Sequence, residues 1–231
     1  MTLPVSIVVC TYNDHHFLPK CLESCAGQNC QEIILVDDGS SHELSPDLWQ
    51  TVRAHRIEYV RLGENRGLAA ARNAGFGLAR SEWVIPLDAD DWFYGEPGCG
   101  VRPLVEATDS RDDCVVGNLT ECGSVCKPPM AAKADSHGRC ALTREDWLSG
   151  NMGFSTTLIR RSIFSDEHIH YDGSRKEQYE DWKFFIRLWK RGKFWRYVPA
   201  KVYCHTVRPD GMLRRMDLRR EEFRKIATEE L

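Results

Sequence analysis

The stretch "WVIPLDADD", residues 83–91, runs from an apolar segment straight into Asp88, Asp90 and Asp91. A short apolar run without polar alternation reads as a strand covered on both faces, the habit of parallel sheets. Pro86 cannot donate a ladder hydrogen bond, which places it near the strand end or on an edge. Like charges repel, so three carboxylates at the end of a buried strand call for a positive partner. That partner is a surface lysine, a helix end or a metal ion.

The same pattern repeats toward the N-terminus. "VSIVVC" (5–10) and "EIILVDD" (32–38) read as buried strands, and "IEYVRLG" (57–63) as a third. A helix is expected over about 15–27, with Phe17, Leu18, Cys21, Leu22 and Cys25 on one face. A second is expected within 64–80, where Leu68, Ala71, Gly75 and Leu78 form a narrow stripe of small residues suited to close packing. Strand and helix alternate, which predicts a mostly parallel sheet flanked by helices. Ligands of such sheets bind beyond the carboxyl ends of the strands. Thr11-Tyr12-Asn13, Asp37-Asp38 and Asp88-Ala89-Asp90-Asp91 all fall at such ends, so three separate segments converge on one crevice.

Toward the C-terminus the pattern loosens. One strand is expected at "CVVGNL" (114–119), and "KPPMAAKADSHGR" (127–139) reads as an exposed, mobile loop. A strand or turn follows at "GFSTTLIRR" (153–161), then a helix over about 180–191. There Trp182, Phe185, Ile186 and Trp189 recur at helical spacing, and Gly192 marks the end. "KVYC" (201–204) reads as a strand and the tail after 213 as a peripheral helix. No repeat or linker divides the chain, so one domain over 1–231 is expected.

The 231 residues are 42% hydrophobic and carry a net charge of -3, enough apolar material for a core and no bulk attraction for nucleic acid. No run of about 18 apolar residues encodes a membrane span. The start resembles no signal peptide, so a cytoplasmic protein is expected, with its inner membrane face open to it through a Trp195-Arg196 surface patch. The ten cysteines are scattered. Cys122 and Cys126 have the best metal spacing, but no partner pair completes a zinc site. Unpaired thiols suit a reducing compartment.

The strand-end groups suggest specific chemistry. Oxygen ligands such as Asp88 and Asp90 suit Mg²⁺ or Mn²⁺ held jointly with substrate phosphates; the bland alternative is a solvated turn. One of Asp37 and Asp38 would face the crevice while the other turns the chain into Gly39. Arg66 and Arg72 flank a helix start, where guanidinium forks suit diphosphate oxygens or simply surface ion pairs. Glu180 and Asp181 sit in the first turn of the late helix, where the dipole favours anions. His205 follows a strand and either closes a metal shell or caps a turn; as a ligand it favours Mn²⁺ over Mg²⁺.

In this order, "VSIVVCTYND", "ILVDDGSS", "NRGLAAARNAG", "LDADD" and "YEDWKFFIRLWKRG" resemble the family-2 glycosyltransferases, closely over about 4–95 and loosely over 150–210. The resemblance implies a GT-A fold and inverting transfer of a sugar from a nucleotide-diphosphate donor, a UDP-sugar by preference, to a saccharide or lipid-linked glycan. It implies a donor half over about 1–95 and an acceptor and catalytic half over about 96–231. By position, Thr11 and Tyr12 would line the base and ribose pocket, Asp38 would accept from the base, and Arg72 would approach the base or diphosphate, with Asn13 and Arg66 counted among the donor-binding residues. Asp88 would contact ribose or sugar, Asp90 and His205 would bind Mn²⁺ or Mg²⁺, and Asp181 would be the catalytic base, with Glu180 and Trp182 on the acceptor side. "IHYDGSRKEQ" (169–178) and Gly211-Met212 depart from the family's pattern, on the acceptor side and closing loop. The Q-x-x-R-W signature of processive synthases is absent, which implies one sugar per encounter. Two other readings use the same residues: a sugar-1-phosphate nucleotidyltransferase, and a non-catalytic module that binds glycans or nucleotide sugars.

Overall fold

The computed structural model describes residues 1–121, 123–173, 179–208, 225 and 228. The expectations placed on Cys122, on residues 174–178, on Gly211-Met212 and on the tail after 213 lie outside the described residues, Lys225 and Thr228 apart. The first hundred residues alternate as the sequence predicts: β1 (Leu3–Thr11), α1 (Leu18–Ala26), β2 (Cys30–Asp37), α2 (Pro46–Ala54), β3 (Glu58–Arg61), α3 (Leu68–Leu78), β4 (Trp83–Asp88) and the short β5 (Trp92–Phe93). Next come α4 (Arg102–Ala107), β6 (Cys114–Glu121), β7 (Ser124–Cys126), a 3-10 turn (Pro129–Lys133), β8 (Arg139–Cys140), α5 (Arg144–Ser149), β9 (Leu158–Arg160), α6 (Ser162–Ser165), α7 (Glu180–Lys190) and β10 (Trp195–His205).

All the described strands join one mixed sheet in the order β3-β2-β1-β4-β9-β6-β10-β5, with β7 beside β6 and β8 beside β10. β1 pairs in parallel with β2 and β4. β9 runs antiparallel to both β4 and β6, and β10 is parallel to β6. The carboxyl ends of β1, β2, β4, β6 and β10 therefore open on one side. The alternation of β1 sorts the core into two layers. Val5, Ile7 and Val9 pack with α1 and α2 on one face. Val8 and Cys10 pack with α3, α6 and α7 on the other. The buried cysteines of α1, Cys21 and Cys25, line the first layer beside Leu18 and Leu22, as their spacing predicts.

The small-residue stripe of α3 lets the helix lie directly on the sheet. A Cβ at Gly75 would collide with Val8 and crowd Val36. α7 buries Trp182, Phe184, Phe185, Ile186 and Leu188, and full burial of each such side chain is worth roughly 1.5–3 kcal/mol. Gly192, at φ 70, lies just beyond its C-terminal end, where left-handed backbone favours glycine.

Pro86 lies two residues from the carboxyl end of β4, as expected. β9 pairs only with Trp83 and Val84, so the flank of β4 beyond Val84 has no ladder to interrupt. Two expectations, on 127–139 and on Trp195-Arg196, are corrected. The 127–139 segment is not a free loop: Met130 is fully buried, and its N–H donates to the Met152 carbonyl at 3.1 Å. Trp195 and Arg196 form no surface patch. The Trp195 ring packs 5.1 Å from Phe185 and 5.7 Å from Trp147. Arg196 is held by Asp112 at 2.6 Å and Asp109 at 2.8 Å. The exposed hydrophobic residue beside them is Phe194. Among the described residues no helix is long and apolar enough to cross a membrane.

Candidate active site

The ends of β1 and β2 are laced together. Asn13 takes the left-handed conformation (φ 58), its N–H donates to Ser40 Oγ at 2.9 Å, and its Oδ1 accepts from Ser41 N at 2.8 Å. Thr11 is buried and its hydroxyl has no partner among the described residues, and Tyr12 stands 45% exposed at the rim. The Asp37 and Asp38 carboxylates are both buried, and Asp37 is the one that makes the expected turn around Gly39. Asp37 Oδ1 accepts from Ser40 N at 2.7 Å, while Oδ2 accepts from the Tyr59 hydroxyl at 3.1 Å and lies 3.3 Å from His15 Nε2. Asp38 accepts from the N–H groups of Arg66 (2.9 Å) and Gly67 (2.7 Å), fixing the entry to α3. A base N–H would have to use a remaining lone pair of Asp38. The Arg66 side chain is exposed.

Arg72 is placed differently from the free fork that the sequence suggests. It lies in the second turn of α3 on the buried face, and its two terminal nitrogens are engaged. Nη2 donates to Asp88 Oδ1 at 2.8 Å and Nη1 to Glu180 Oε1 at 2.9 Å. One guanidinium thus ties the end of β4 to the first turn of α7, with Arg72 and Glu180 lying 108 positions apart in sequence. Nothing local in the sequence signals that link.

Beside this bridge sits Asp181. Its Oδ1 accepts from Trp182 N at 2.8 Å and its Oδ2 from Asn151 Nδ2 at 3.0 Å. Burial, reinforced by the charge of Glu180, pushes its carboxyl up to about 6. Such values are where a carboxylate can both be ionised and accept a proton near neutrality. Trp182, expected on the acceptor side, is wholly buried on the apolar face of α7 and presents nothing to a ligand. Asn151 was not foreseen. It comes from "SGNMGF" (149–154), a run without apolar periodicity or motif.

The remaining acids crowd the end of β4. Asp91 is buried, accepts from Thr206 N at 2.8 Å, and is pushed up to about 9 by burial and then by Asp88. Asp90 is raised by the same two causes in the same order. Arg208 Nη1 lies 3.4 Å from Asp90 Oδ2 and 3.1 Å from Asp14 Oδ2. Surplus negative charge with a cation drawn to it suits a divalent ion bound by one or two carboxylates plus phosphate oxygens. His205 Nδ1 lies 3.2 Å from Glu121 Oε1, a carboxylate contact of the kind that orients an imidazole whose other nitrogen binds an ion. Among the described residues no group of three His, Cys, Asp or Glu side chains forms a metal cage. The acids at the end of β4, Asp90 among them, suit an ion shared with a substrate's phosphates.

Comparison with known proteins agrees with this architecture. The model of Glycosyl transferase family 2 matches residues 6–167, and the chain belongs to that family. It is 37% identical over 222 residues to the succinoglycan biosynthesis protein ExoO of Rhizobium meliloti, covering 91% of this chain and 62% of that protein. Against the glycosyltransferase EpsH of Bacillus subtilis it is 28% identical over 223 residues, covering 93% and 64%. The chain thus spans a little under two thirds of these relatives. Among solved structures, S. aureus TarS 1-349 in complex with UDP superposes with a TM-score of 0.73 at 20% identity, over 100% of this chain and 65% of that one. GalNAc-T7 with UDP, GalNAc and Mn2+ gives 0.68 at 20% identity, over 91% and 44%. The fold is that of the GT-A glycosyltransferases.

Proposed function

We propose that this chain performs inverting, metal-dependent transfer of one sugar per encounter from a UDP-sugar to a hydroxyl of a glycan or lipid-linked saccharide. The observation that carries the reading is the Arg72 bridge, with contacts of 2.8 Å to Asp88 and 2.9 Å to Glu180. It brings the strand-end acids to the helix turn that bears Asp181. The donor half is about 1–95 and the acceptor half about 96–231. UDP in the TarS and GalNAc-T7 structures supports the choice of nucleotide, and the polysaccharide context of ExoO supports a glycan acceptor.

In this reading Tyr12, exposed at the rim, offers a ring face to the base, with Thr11 and Asn13 shaping the pocket wall. Arg66 reaches the diphosphate from outside, while Arg72 holds Asp88 toward the sugar from within. Asp181 takes the proton of the acceptor hydroxyl as that oxygen attacks the anomeric carbon. Asp90 holds the divalent ion, Mn²⁺ or Mg²⁺, which when bound neutralises charge on the departing diphosphate. Glu180 keeps Arg72, and with it the first turn of α7, in register.

A positioned base is worth roughly 10²–10⁴-fold in rate. Asp181→Asn should lose turnover of that order in a donor-consumption assay and retain UDP binding by calorimetry. Turnover within about tenfold of wild type would remove Asp181 from the role. In the same calorimetry, Asp90→Ala should abolish the Mn²⁺-dependent part of UDP binding; an unchanged isotherm would take Asp90 out of the ion's shell.

A further inference from the structure

We propose that Asn151 is the positioning residue of the base: its amide fixes one oxygen of Asp181, so that an acceptor hydroxyl meets a carboxylate already ionised and aimed. This role rests on Asp181 being the base.

Both oxygens of Asp181 are held from different parts of the chain. Oδ1 takes the Trp182 N–H within α7, and Oδ2 takes Asn151 Nδ2 from the segment leading into β9. The Asn151 amide has one sensible orientation. Its Oδ1 accepts from Gly153 N at 3.2 Å. If the amide were flipped, its oxygen would oppose the carboxylate and its NH₂ would oppose an N–H. A carboxamide NH₂ only donates. It therefore favours the anion, because donated hydrogen bonds stabilise the charged form of an acid.

The groups that face Asp181 make such a donor consequential. Glu180 on α7 and Asp88 at the end of β4 oppose its ionisation, as does burial, while Arg72 on α3 favours it. The Tyr171 phenol, in the segment before α7, is itself pushed up by burial and stays neutral beside them. Asn151 adds a neutral donor from outside α7, without adding charge to a crowded site. The segment that carries it is anchored independently of this contact. The Met130 N–H bonds the Met152 carbonyl, and Thr157 N–H donates to the Ser155 carbonyl at 3.0 Å. Removing the amide leaves those bonds in place.

The test uses the full chain with Mn²⁺ and UDP-glucose, UDP-galactose or UDP-N-acetylglucosamine, whichever the wild type consumes. Asn151→Ala should lower kcat about tenfold at pH 7, the scale of a lost hydrogen bond to a charged group. It should also move the acid limb of the pH profile up by about one unit, with UDP affinity by calorimetry unchanged. Asn151→Asp, equal in size but unable to donate, should move the limb further in the same direction. A kcat loss with an unmoved limb would assign Asn151 to packing and overturn the proposal; so would a wild-type profile in both variants. If Asp181→Asn stays active, the base reading fails and takes this one with it. If Asp181→Asn is dead while Asn151→Ala is unaltered, this one fails alone.

Discussion

Two buried arginines bracket the sheet, and each lies between two carboxylates. At the open end Arg72 joins Asp88 to Glu180. At the far end of β6 and β10 Arg196 joins Asp109 to Asp112. The local chemistry is the same and the surroundings differ. Around Arg196, backbone donors satisfy the acids: Arg111 N–H bonds Asp109, whose carboxyl is lowered chiefly by that contact, and Asp109 N–H bonds Asp112. Around Arg72, the acids outnumber their partners, and Asp90, Asp91 and Asp181 are all raised by burial first and neighbouring charge second. A network in which every charge is satisfied holds loops. One that keeps anionic surplus under cover is costly to fold and persists where a ligand completes it.

The sharpest way to break this contrast is to delete each arginine in turn. Arg72→Met leaves two acids without their buried partner and should cost about 3–5 kcal/mol in urea unfolding, with turnover lost. Arg196→Met should cost less, about 1–3 kcal/mol, because backbone donors remain, and turnover per folded molecule should be unchanged. Equal effects on turnover would erase the distinction. The two ends should also respond to pH with opposite sign. Asp181 is raised from 3.8 to about 6, so the folded state holds an extra proton between those values. Its contribution to stability falls as pH rises through that window, while turnover, on the proposed base role, should rise about tenfold per unit below the midpoint. Asp109 is lowered, so the stability it contributes is present above 3.8 and lost on acidification below it. Paired stability and rate profiles test both signs, and parallel profiles would contradict them. Gly75→Ala tests the support beneath Arg72. The added methyl presses on Val8 and lifts α3, the helix that carries Arg72. A loss of about 1–3 kcal/mol is expected, with turnover reduced. Unchanged stability would mean that α3 has slack beneath it.

The parts of this picture that were legible in the sequence share one property, which is local periodicity. β1, β2 and β4 announce themselves as apolar runs, and their acidic ends follow by position. α7 is visible in the spacing of Trp182, Phe185 and Ile186. What was not legible depends on partners far apart. The burial of Arg72 requires Asp88 and Glu180, and Asn151 requires Asp181. The apolar run shows β10 only from Lys201, whereas the strand begins at Trp195; Pro199 interrupts the run, and the pairing with β6 shifts register between Tyr197 and Lys201. That interruption concealed the strand that buries Trp195 and Arg196. Trp182 was misplaced for the opposite reason, since a motif position outweighed its place on an apolar stripe.

β9 meets β4 at two positions only, and the segment feeding it holds Asn151 against Asp181. β9 is nonetheless the strand that joins β4 to β6, with Leu158 and Ile159 fully buried, so a change in the loop that feeds it reaches the middle of the sheet as well as Asp181.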